Sequence, residues 1–341
     1  MPVLQNCPTV SVIIPTRDRP GMLRQALGSA LAQSFCDLEI IVIDDGSVDR
    51  PDAAVQQFAC PARARAGEGL PGQGEVKLLR TPGVGNAAAR NVGLADARGS
   101  FIAFLDDDDL WERDKLLAQT SFMNENPDVG VVCSRIARVD EAGRLLPDPC
   151  SERLKRLTGR LAELRGPALR HMLRANRVVP SSALVRREAI EECGGFDETL
   201  FVAADWDLFL RIAEKWHIVE LPEKLVRYRV HTGRVSGRRH EMRVAEVTLL
   251  TKAWRRLRGQ PESVLRILRK RLAWAHYRLG RSYLRRGQKP CALWHFGLAV
   301  RIWPFHLRPW LWLCAGAFLW RPERWPASAE TARCEAPGGL D

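Results

Sequence analysis

The sequence predicts an α/β protein with a mainly parallel central sheet, followed by a helical C-terminal region. Over about the first 140 residues, short β-branched apolar segments alternate with segments whose apolar residues recur every three or four positions. The β segments are apolar on both faces, as expected of parallel strands that helices cover on both sides. Beyond about residue 240 only the helical pattern continues.

The predicted elements follow one another in a regular order. The first strand covers residues 10–14 and ends at Pro15, and a helix begins at Pro20. The rest of the alternating part consists of strands at 38–43, 76–79 and 101–105 and helices from about Asp52 and Asn86. Three more short strands are predicted at 129–133, 182–185 and 225–230. Residues 60–75, rich in Gly, Pro, Ala and Arg, predict an exposed loop insertion.

The length and composition indicate one large domain and a smaller appendage. The chain has 341 residues, of which 46% are apolar and 27% charged, as in globular proteins. We predict a first domain over residues 1–235, a basic helical region over 236–325 and a disordered tail over 326–341. Residues 275–304 resemble a single tetratricopeptide repeat, and because one copy cannot form a solenoid we expect a packed helical hairpin.

The positive charge is concentrated in one segment. The net charge is +12, yet residues 231–300 hold 17 Lys/Arg against 3 Asp/Glu, and residues 1–230 hold 30 against 33. This distribution favours a near-neutral enzyme with a basic C-terminal arm over a nucleic-acid-binding protein.

Several sequence features predict a cytoplasmic protein. No run of 18 uncharged apolar residues is present, and the first eight residues lack the pattern of a signal peptide. The nine cysteines are scattered and form no CxxC pair, so we expect neither a disulfide framework nor a zinc site.

An apolar, tryptophan-rich segment, residues 303–320, follows the basic arm. Its uninterrupted part, 310–320, would be about 16 Å long as a helix, roughly half the thickness of the hydrocarbon core. One hypothesis is peripheral contact with the anionic inner face of the membrane, where tryptophan and arginine are favoured. The alternative is that the segment packs on the first domain or on a second subunit of a homo-oligomer.

Three polar clusters follow predicted strands and should therefore meet at one edge of the sheet, where ligands bind in such folds. They are residues 15–18, 44–47 and 106–109. The four consecutive acids Asp106 to Asp109 repel one another, and a divalent cation such as Mg²⁺ or Mn²⁺ would relieve that repulsion. The alternative is a solvated helix N-terminus.

The other candidates each have a structural alternative. Asp45 would accept a hydrogen bond from a base or a ribose hydroxyl, or else belong to an Asx-type turn. The Gly83–Ala88 segment matches GxGxxA but follows the third strand, which argues against a dinucleotide site. Arg90 would meet a phosphate or form a surface salt bridge. Asp205 and Asp207 would provide a general base or cap a helix, and His231 would bind a metal or simply end a strand.

Together these motifs resemble the family 2 glycosyltransferases of GT-A fold over about residues 8–235. The matching segments are Pro15-Thr16-Arg17-Asp18-Arg19, Asp44-Asp45-Gly46-Ser47, Ala89-Arg90-Asn91-Val92-Gly93, Phe104-Leu105 with Asp106 to Asp109, and Asp205-Trp206-Asp207-Leu208. The resemblance implies an inverting transferase that uses a nucleotide-sugar donor and a divalent cation, Mn²⁺ or Mg²⁺. The expected acceptor is a glycan or lipid-linked molecule of the cell envelope.

The resemblance also implies roles for individual residues. The donor would be bound by Pro15, Thr16, Arg17, Asp44, Asp45, Arg90, Asp106 and Asp107. The metal would be held by Asp106, Asp108 and His231, and Asp205 would be the general base. The chain departs from the family in having Ala204 where a Glu often precedes the base.

Two competing hypotheses remain at this point. A dinucleotide-dependent oxidoreductase would use the Gly83 loop and would be indifferent to chelators. A non-catalytic binding or assembly module would keep the fold and use the helical hairpin, and Ala204 is the feature that supports it.

Overall fold

The structure is a computed structural model, and it describes residues 7–59, 75–147, 168–231, 239–305 and 307–319. The predicted loop insertion at 60–75 lies outside these ranges except for Glu75, and the predicted disordered tail lies wholly outside them. The chain divides into two compact units. The first ends before residue 235, and the second comprises the following residues together with Leu173–Ala175.

The first unit contains an eight-stranded sheet in the order β3-β2-β1-β4-β7-β6-β8-β5. Its strands are β1 (Val10–Thr16), β2 (Leu38–Asp45), β3 (Val76–Thr81), β4 (Phe101–Phe104), β5 (Leu110–Trp111), β6 (Val129–Val139), β7 (Ala183–Arg186) and β8 (His217–Arg229). Its helices are α1 (Pro20–Leu31), α2 (Asp52–Ala59), α3 (Asn86–Asp96), α4 (Lys115–Glu125), α5 (Leu169–Met172), α6 (Arg187–Glu191) and α7 (Ala204–Ile212). A short 3₁₀ turn, Pro180–Ser182, precedes β7.

The first four strands of the sheet order are parallel, and this is the part that the alternating pattern predicted. Strand β7 then runs antiparallel to both β4 and β6, whereas β8 is parallel to β6. The sheet is therefore mixed, with four parallel and three antiparallel pairings. Strands β1 and β2 are buried along their whole length, as their continuous apolar sequences require.

One local expectation was wrong. Pro15 does not end β1, because the strand continues to Thr16 and Pro15 pairs in register with Ile43. The proline has no N–H to donate, and its neighbour β4 has already ended opposite Ile13, so no ladder bond is lost there. The alternative interpretation of the acidic quartet, a helix N-terminus, is not observed, because no helix begins directly after it. Leu110–Trp111 form β5, and the helix begins only at Lys115.

The second unit is helical, as predicted. It contains α8 (Arg239–Arg256), α9 (Glu262–Arg285), α10 (Lys289–Ile302) and α11 (Leu307–Leu319). Helices α9 and α10 form a hairpin whose buried core includes Tyr277, Ala292, Phe296 and Ala299. Gly280 allows the close approach of the two helices, since a Cβ there would lie 2.7 Å from the Phe296 ring. Within the described ranges, no helix has the length and apolarity that crossing a membrane requires.

Candidate active site

Three carboxylates of the acidic quartet form a compact group directly after β4. One oxygen from each of Asp106, Asp108 and Asp109 lies within 4.8 Å of the others. Asp108 and Asp109 are buried, as is Asp107, so the solvated helix terminus considered above is excluded. Within the part of the chain that the structure describes, this is the one group of three or more acidic, His or Cys side chains able to hold a metal.

The backbone and two neighbouring segments hold these acids in place. The Ser181 hydroxyl donates to Asp109 Oδ2 at 2.7 Å and accepts from the Asp106 amide at 3.1 Å. The Arg229 amide, at the end of β8, donates to Asp109 Oδ1 at 3.2 Å. Buried carboxylates need such donors, because an ionised group without partners is costly in the protein interior.

Two arginines supply positive charge to the quartet. Arg19 Nη1 lies 3.3 Å from Asp107 Oδ1 and 3.3 Å from Asp108 Oδ2, so a single guanidinium bridges two acids. Arg90 is buried, donates to Asp106 Oδ1 and lies over the Phe196 ring at 5.5 Å. Arg90 therefore pairs with an acid of this site and does not form the surface salt bridge that was the alternative.

Asp107 is not part of the three-carboxylate group. Its Oδ2 accepts a hydrogen bond of 2.8 Å from the Thr16 hydroxyl, at the end of β1. Burial raises the pKa of Asp107 to about 6, against the opposing effects of Arg19 and of this hydrogen bond. Thr16 and Asp107 therefore join two of the strand ends that the sequence predicted to meet.

His231 also reaches the acidic group. Its Nε2 lies 2.8 Å from Asp108 Oδ2, and both side chains are buried. His231 therefore does more than end a strand, because it contacts one of the three clustered carboxylates.

The second polar cluster holds a loop. Asp45 Oδ1 accepts from the Thr81 hydroxyl at 2.6 Å and the Val84 amide at 2.7 Å, and Oδ2 accepts from the Gly85 amide at 2.9 Å. The amides that a dinucleotide diphosphate would need are thus bound to a carboxylate of the same chain. This arrangement argues against a dinucleotide site at this loop, and therefore against the oxidoreductase hypothesis.

Asp44 forms the turn that was considered for this cluster. Its Oδ1 accepts from the Ser47 amide at 3.0 Å. Gly46 has φ +73°, and a Cβ there would lie 2.8 Å from the Gly83 nitrogen, so only glycine fits between the two loops. Arg17, next to Pro15 and Thr16, is more than half exposed and lies 3.8 Å from Asp18 in a weak ion pair.

Asp205 and Asp207 occupy the first turn of α7 but have different environments. Asp207 is buried and its Oδ2 accepts from Arg211 Nε at 2.7 Å, one helical turn away. Arg211 also donates to the Gly195 carbonyl at 2.7 Å. Asp207 therefore has a structural role, and the N-cap position of the helix is occupied by Ala203 and by neither acid.

Asp205 instead faces the acidic group. Its Oδ2 accepts from the Asn176 amide at 2.9 Å, and the charges of Arg90 and Asp106 are near enough to affect it. Burial raises its pKa above the ordinary 3.8, while Arg90, the Trp206 amide and Asn176 oppose the shift. The residue before the helix, Ala203, has φ +63°, a strained conformation for a residue with a Cβ.

Four contributors to this site have no role predicted from the motifs. Asp109 belongs to the quartet and Arg19 to the Pro15–Arg19 segment, but neither motif distinguishes them from their neighbours. Ser181 and Asn176 belong to a segment without any recognisable motif, so no signal in the sequence could have found them.

The comparisons with known proteins agree with this geometry. The family model described as Glycosyl transferase family 2 matches residues 11–194, more than half of the chain. The chain belongs to glycosyltransferase family 2. This range includes all of the acidic quartet, Asp45 and Arg90, but it ends before α7 and His231.

Several curated proteins named as glycosyltransferases match part of the chain. An uncharacterized glycosyltransferase of Haemophilus influenzae is 38% identical over 36% of this chain and 44% of its own length. The pre-mycofactocin glycosyltransferase of Mycobacterium tuberculosis is 34% identical over 60% of this chain and 39% of its own length. The chain covers less than half of the length of each of these two relatives. It covers 66% of the length of an uncharacterized glycosyltransferase of Rickettsia prowazekii.

Solved structures identify the fold of this family 2 member as GT-A. The mannosyltransferase PcManGT of Pyrobaculum calidifontis, in complex with GDP-Man and Mn²⁺, has a TM-score of 0.58 and 23% identity, covering 92% of this chain and 80% of its own. S. aureus TarS 1-349 in complex with UDP-GlcNAc has a TM-score of 0.60 and 18% identity, covering 86% and 81%.

Proposed function

We propose that this protein is an inverting, metal-dependent glycosyltransferase. It transfers a sugar from a nucleotide-diphosphate donor to a glycan or lipid-linked acceptor of the cell envelope. The observation that best supports this is the position of Asp205, whose charge interacts with Arg90 and Asp106 at the group of three carboxylates.

Asp205 is the proposed general base. The acceptor hydroxyl must lose a proton as it attacks the anomeric carbon, and a carboxylate with a raised pKa is a better proton acceptor than an ordinary one. The Asn176 side chain and the Trp206 amide both donate to the Asp205 carboxylate, and these hydrogen bonds orient it. A single displacement inverts the anomeric configuration, so no carboxylate nucleophile is needed.

The donor's departing diphosphate requires positive charge. The residues fit a divalent cation, since three hard oxygen ligands converge after β4 with no cysteine among them. Asp106 and Asp108, with His231 beside Asp108, would hold the metal. Bound Mn²⁺ or Mg²⁺ would neutralise charge on the leaving diphosphate. Two arginines, Arg90 and Arg19, hold the acids that would face the diphosphate. The adjoining wall for the nucleotide is formed by Thr16, Arg17, Asp44, Asp45 and Asp107.

The second unit is proposed to contact the inner face of a membrane. Five large apolar side chains in and beside α11 are exposed, namely Phe305, Leu307, Trp310, Leu311 and Trp312. Exposed aromatic and aliphatic side chains next to a basic segment fit the boundary between lipid headgroups and acyl chains. A lipid-linked acceptor would be available there.

The test is nucleotide release from a panel of nucleotide-sugars, with Mn²⁺ and with excess EDTA. UDP-GlcNAc and GDP-mannose are the first donors to try, because they are the ligands of the structural neighbours. We expect release of the nucleoside diphosphate from at least one donor in Mn²⁺ and none in EDTA. The anomeric configuration of the product, measured by NMR, tests inversion. Donor binding without any turnover would support the non-catalytic module instead.

A further inference from the structure

A small cavity in the helical unit is lined mostly by arginines. It has a volume of about 150 Å³ and lies between α8 and α9. Four arginines and two aromatic side chains line it: Arg243, Trp274, Tyr277, Arg278, Arg281 and Arg285.

The sequence places these side chains on one face of α9. Residues 274, 278, 281 and 285 are spaced three or four apart along the helix, and residue 277 lies three positions after 274 and four before 281, so all five share one side. Arg243, from the second turn of α8, completes the wall, and its Nη1 donates to the Arg278 carbonyl at 3.4 Å. Arg281 also lies over the Tyr277 ring at 5.9 Å.

The nearby carboxylates are too few to neutralise the four arginines that line the cavity. Glu246 is buried and binds Arg271 at 2.7 Å and Arg278 at 3.4 Å. Within the described ranges, no carboxylate lies within salt-bridge distance of Arg243, Arg281 or Arg285. Burial, together with the charges of Arg278, Arg285 and Arg281, lowers the pKa of Arg243. Glu246 therefore compensates only part of the positive charge that these four arginines bring together.

We propose that this cavity is a binding site for a phosphate or diphosphate group of an organic ester. Guanidinium groups form paired hydrogen bonds with phosphate oxygens, and several of them together match a multiply charged anion. At about 30 Å³ per water, the cavity would otherwise hold about five waters, and the anion would replace them. Trp274 and Tyr277 provide an apolar wall for the carbon atoms attached to the phosphate.

The site shares no residue with the proposed donor site, because all of its lining residues belong to the second unit. Two sources present the same chemistry: the headgroup of a phospholipid, or a soluble phosphate compound. The proposal does not depend on transferase activity.

The first experiment is calorimetric titration of the full chain with sodium pyrophosphate in excess EDTA, which removes any metal-dependent binding at the acidic group. We expect saturable binding that also raises the unfolding temperature. The double variant Arg243→Gln/Arg281→Gln should weaken binding by at least about tenfold, since it removes two charge-assisted contacts. The control is Arg301→Gln, which removes an exposed charge on α10 outside the cavity and should leave binding within about twofold.

Whether the bound phosphate group comes from a lipid headgroup or a soluble compound is then tested with vesicles of equal charge density. One set contains phosphatidic acid, whose phosphate is a monoester, and the other contains phosphatidylserine. Preference for phosphatidic acid that the double variant loses assigns the cavity to a lipid headgroup. Equal binding to both vesicles, with pyrophosphate binding retained, assigns it to a soluble phosphate compound.

The proposal is overturned if pyrophosphate gives no saturable binding, or if Arg301→Gln weakens binding as much as the double variant does. Should the double variant fail to fold by circular dichroism, the exposed Arg285→Gln replaces it. Undiminished pyrophosphate binding by that variant would equally overturn the proposal, and a measurable loss would support it.

Discussion

The imidazole of His231 lies 2.8 Å from the carboxylate of Asp108, although 123 residues separate them in the chain. Asp108 also contacts Arg19, so residues from three distant segments meet at one carboxylate. The acidic group is therefore assembled by the whole first unit, and its integrity can be tested one side chain at a time.

Asp108→Asn should abolish nucleotide-sugar turnover and leave the fold intact. The substitution keeps the shape of the side chain but removes a charged oxygen from the proposed metal site. Turnover is measured as nucleoside diphosphate release in Mn²⁺, and folding by circular dichroism. The matched control is Asp114→Asn, an exposed aspartate six positions away, which should remain fully active. Full activity of Asp108→Asn, or of the wild type in EDTA, would refute the metal assignment.

Asp205→Asn should lower the transfer rate by about 10²–10⁴-fold while donor affinity changes little. An amide preserves the contact with Asn176 but cannot accept the acceptor's proton. Single-turnover rates and donor titrations measure the two effects separately.

Asp207→Asn is the control for this variant, because it breaks the buried pair with Arg211. It should destabilise the protein by about 3 kcal/mol, seen in denaturant unfolding, and the protein that remains folded should stay active. If Asp207→Asn instead loses the chemistry and Asp205→Asn retains it, the general base has been assigned to the wrong aspartate.

The pH dependence should follow the raised pKa of Asp205. A general base works when it is deprotonated, so the acidic limb of kcat/KM should fall at a pH above the ordinary 3.8. An acid whose pKa is raised by folding lowers stability as pH rises through that value, because the folded state then holds an unfavourable charge. Asp205→Asn should therefore be more stable than the wild type at pH 7, with the difference vanishing at low pH. A wild-type stability equal to or above that of the variant at pH 7 would contradict this.

The helical unit should be destabilised by acid through a buried histidine pair. His276 Nδ1 lies 2.9 Å from His295 Nδ1, and burial lowers their pKa values to about 4 and about 3. A base whose pKa is lowered by folding contributes stability above its unfolded value of 6.5, and this is lost as pH falls toward the folded values. Thermal unfolding of His295→Gln should depend less on pH between 6.5 and 4 than that of the wild type. An unchanged slope would refute the role of the pair.

Exposed side chains at the start of α11 should be needed for membrane binding. The variant Phe305→Ser/Leu311→Ser should co-sediment less with anionic vesicles, because it removes two of the most exposed apolar groups. Wild-type binding should weaken as salt is raised. The control is Leu145→Ser, an equally exposed leucine in the first unit. Equal partitioning of the wild type and both variants would refute the membrane role of these side chains and favour packing against a second subunit.

The alternation of apolar strands and amphipathic helices could be predicted from sequence because it depends on local periodicity. The same is true of the polar clusters after β1, β2 and β4, since parallel strands bring their carboxyl ends to one edge. The strand that continues through Pro15 was not predictable, because only the early end of β4 makes the missing N–H harmless.

The sequence by itself determined the fold class, the acidic quartet and the position of the basic arm. The tertiary structure alone decided which partners surround each carboxylate. Asp205 and Asp207 are two residues apart and chemically identical, yet one is held by Asn176 near Arg90 and the other is neutralised by Arg211. Likewise Asp109 joins the group of three carboxylates and Asp107 does not, because Ser181, Thr16 and Arg19 arrive from distant segments. The charge and proton affinity of an acid depend on the partners that folding brings to it, and a local pattern contains no information about them.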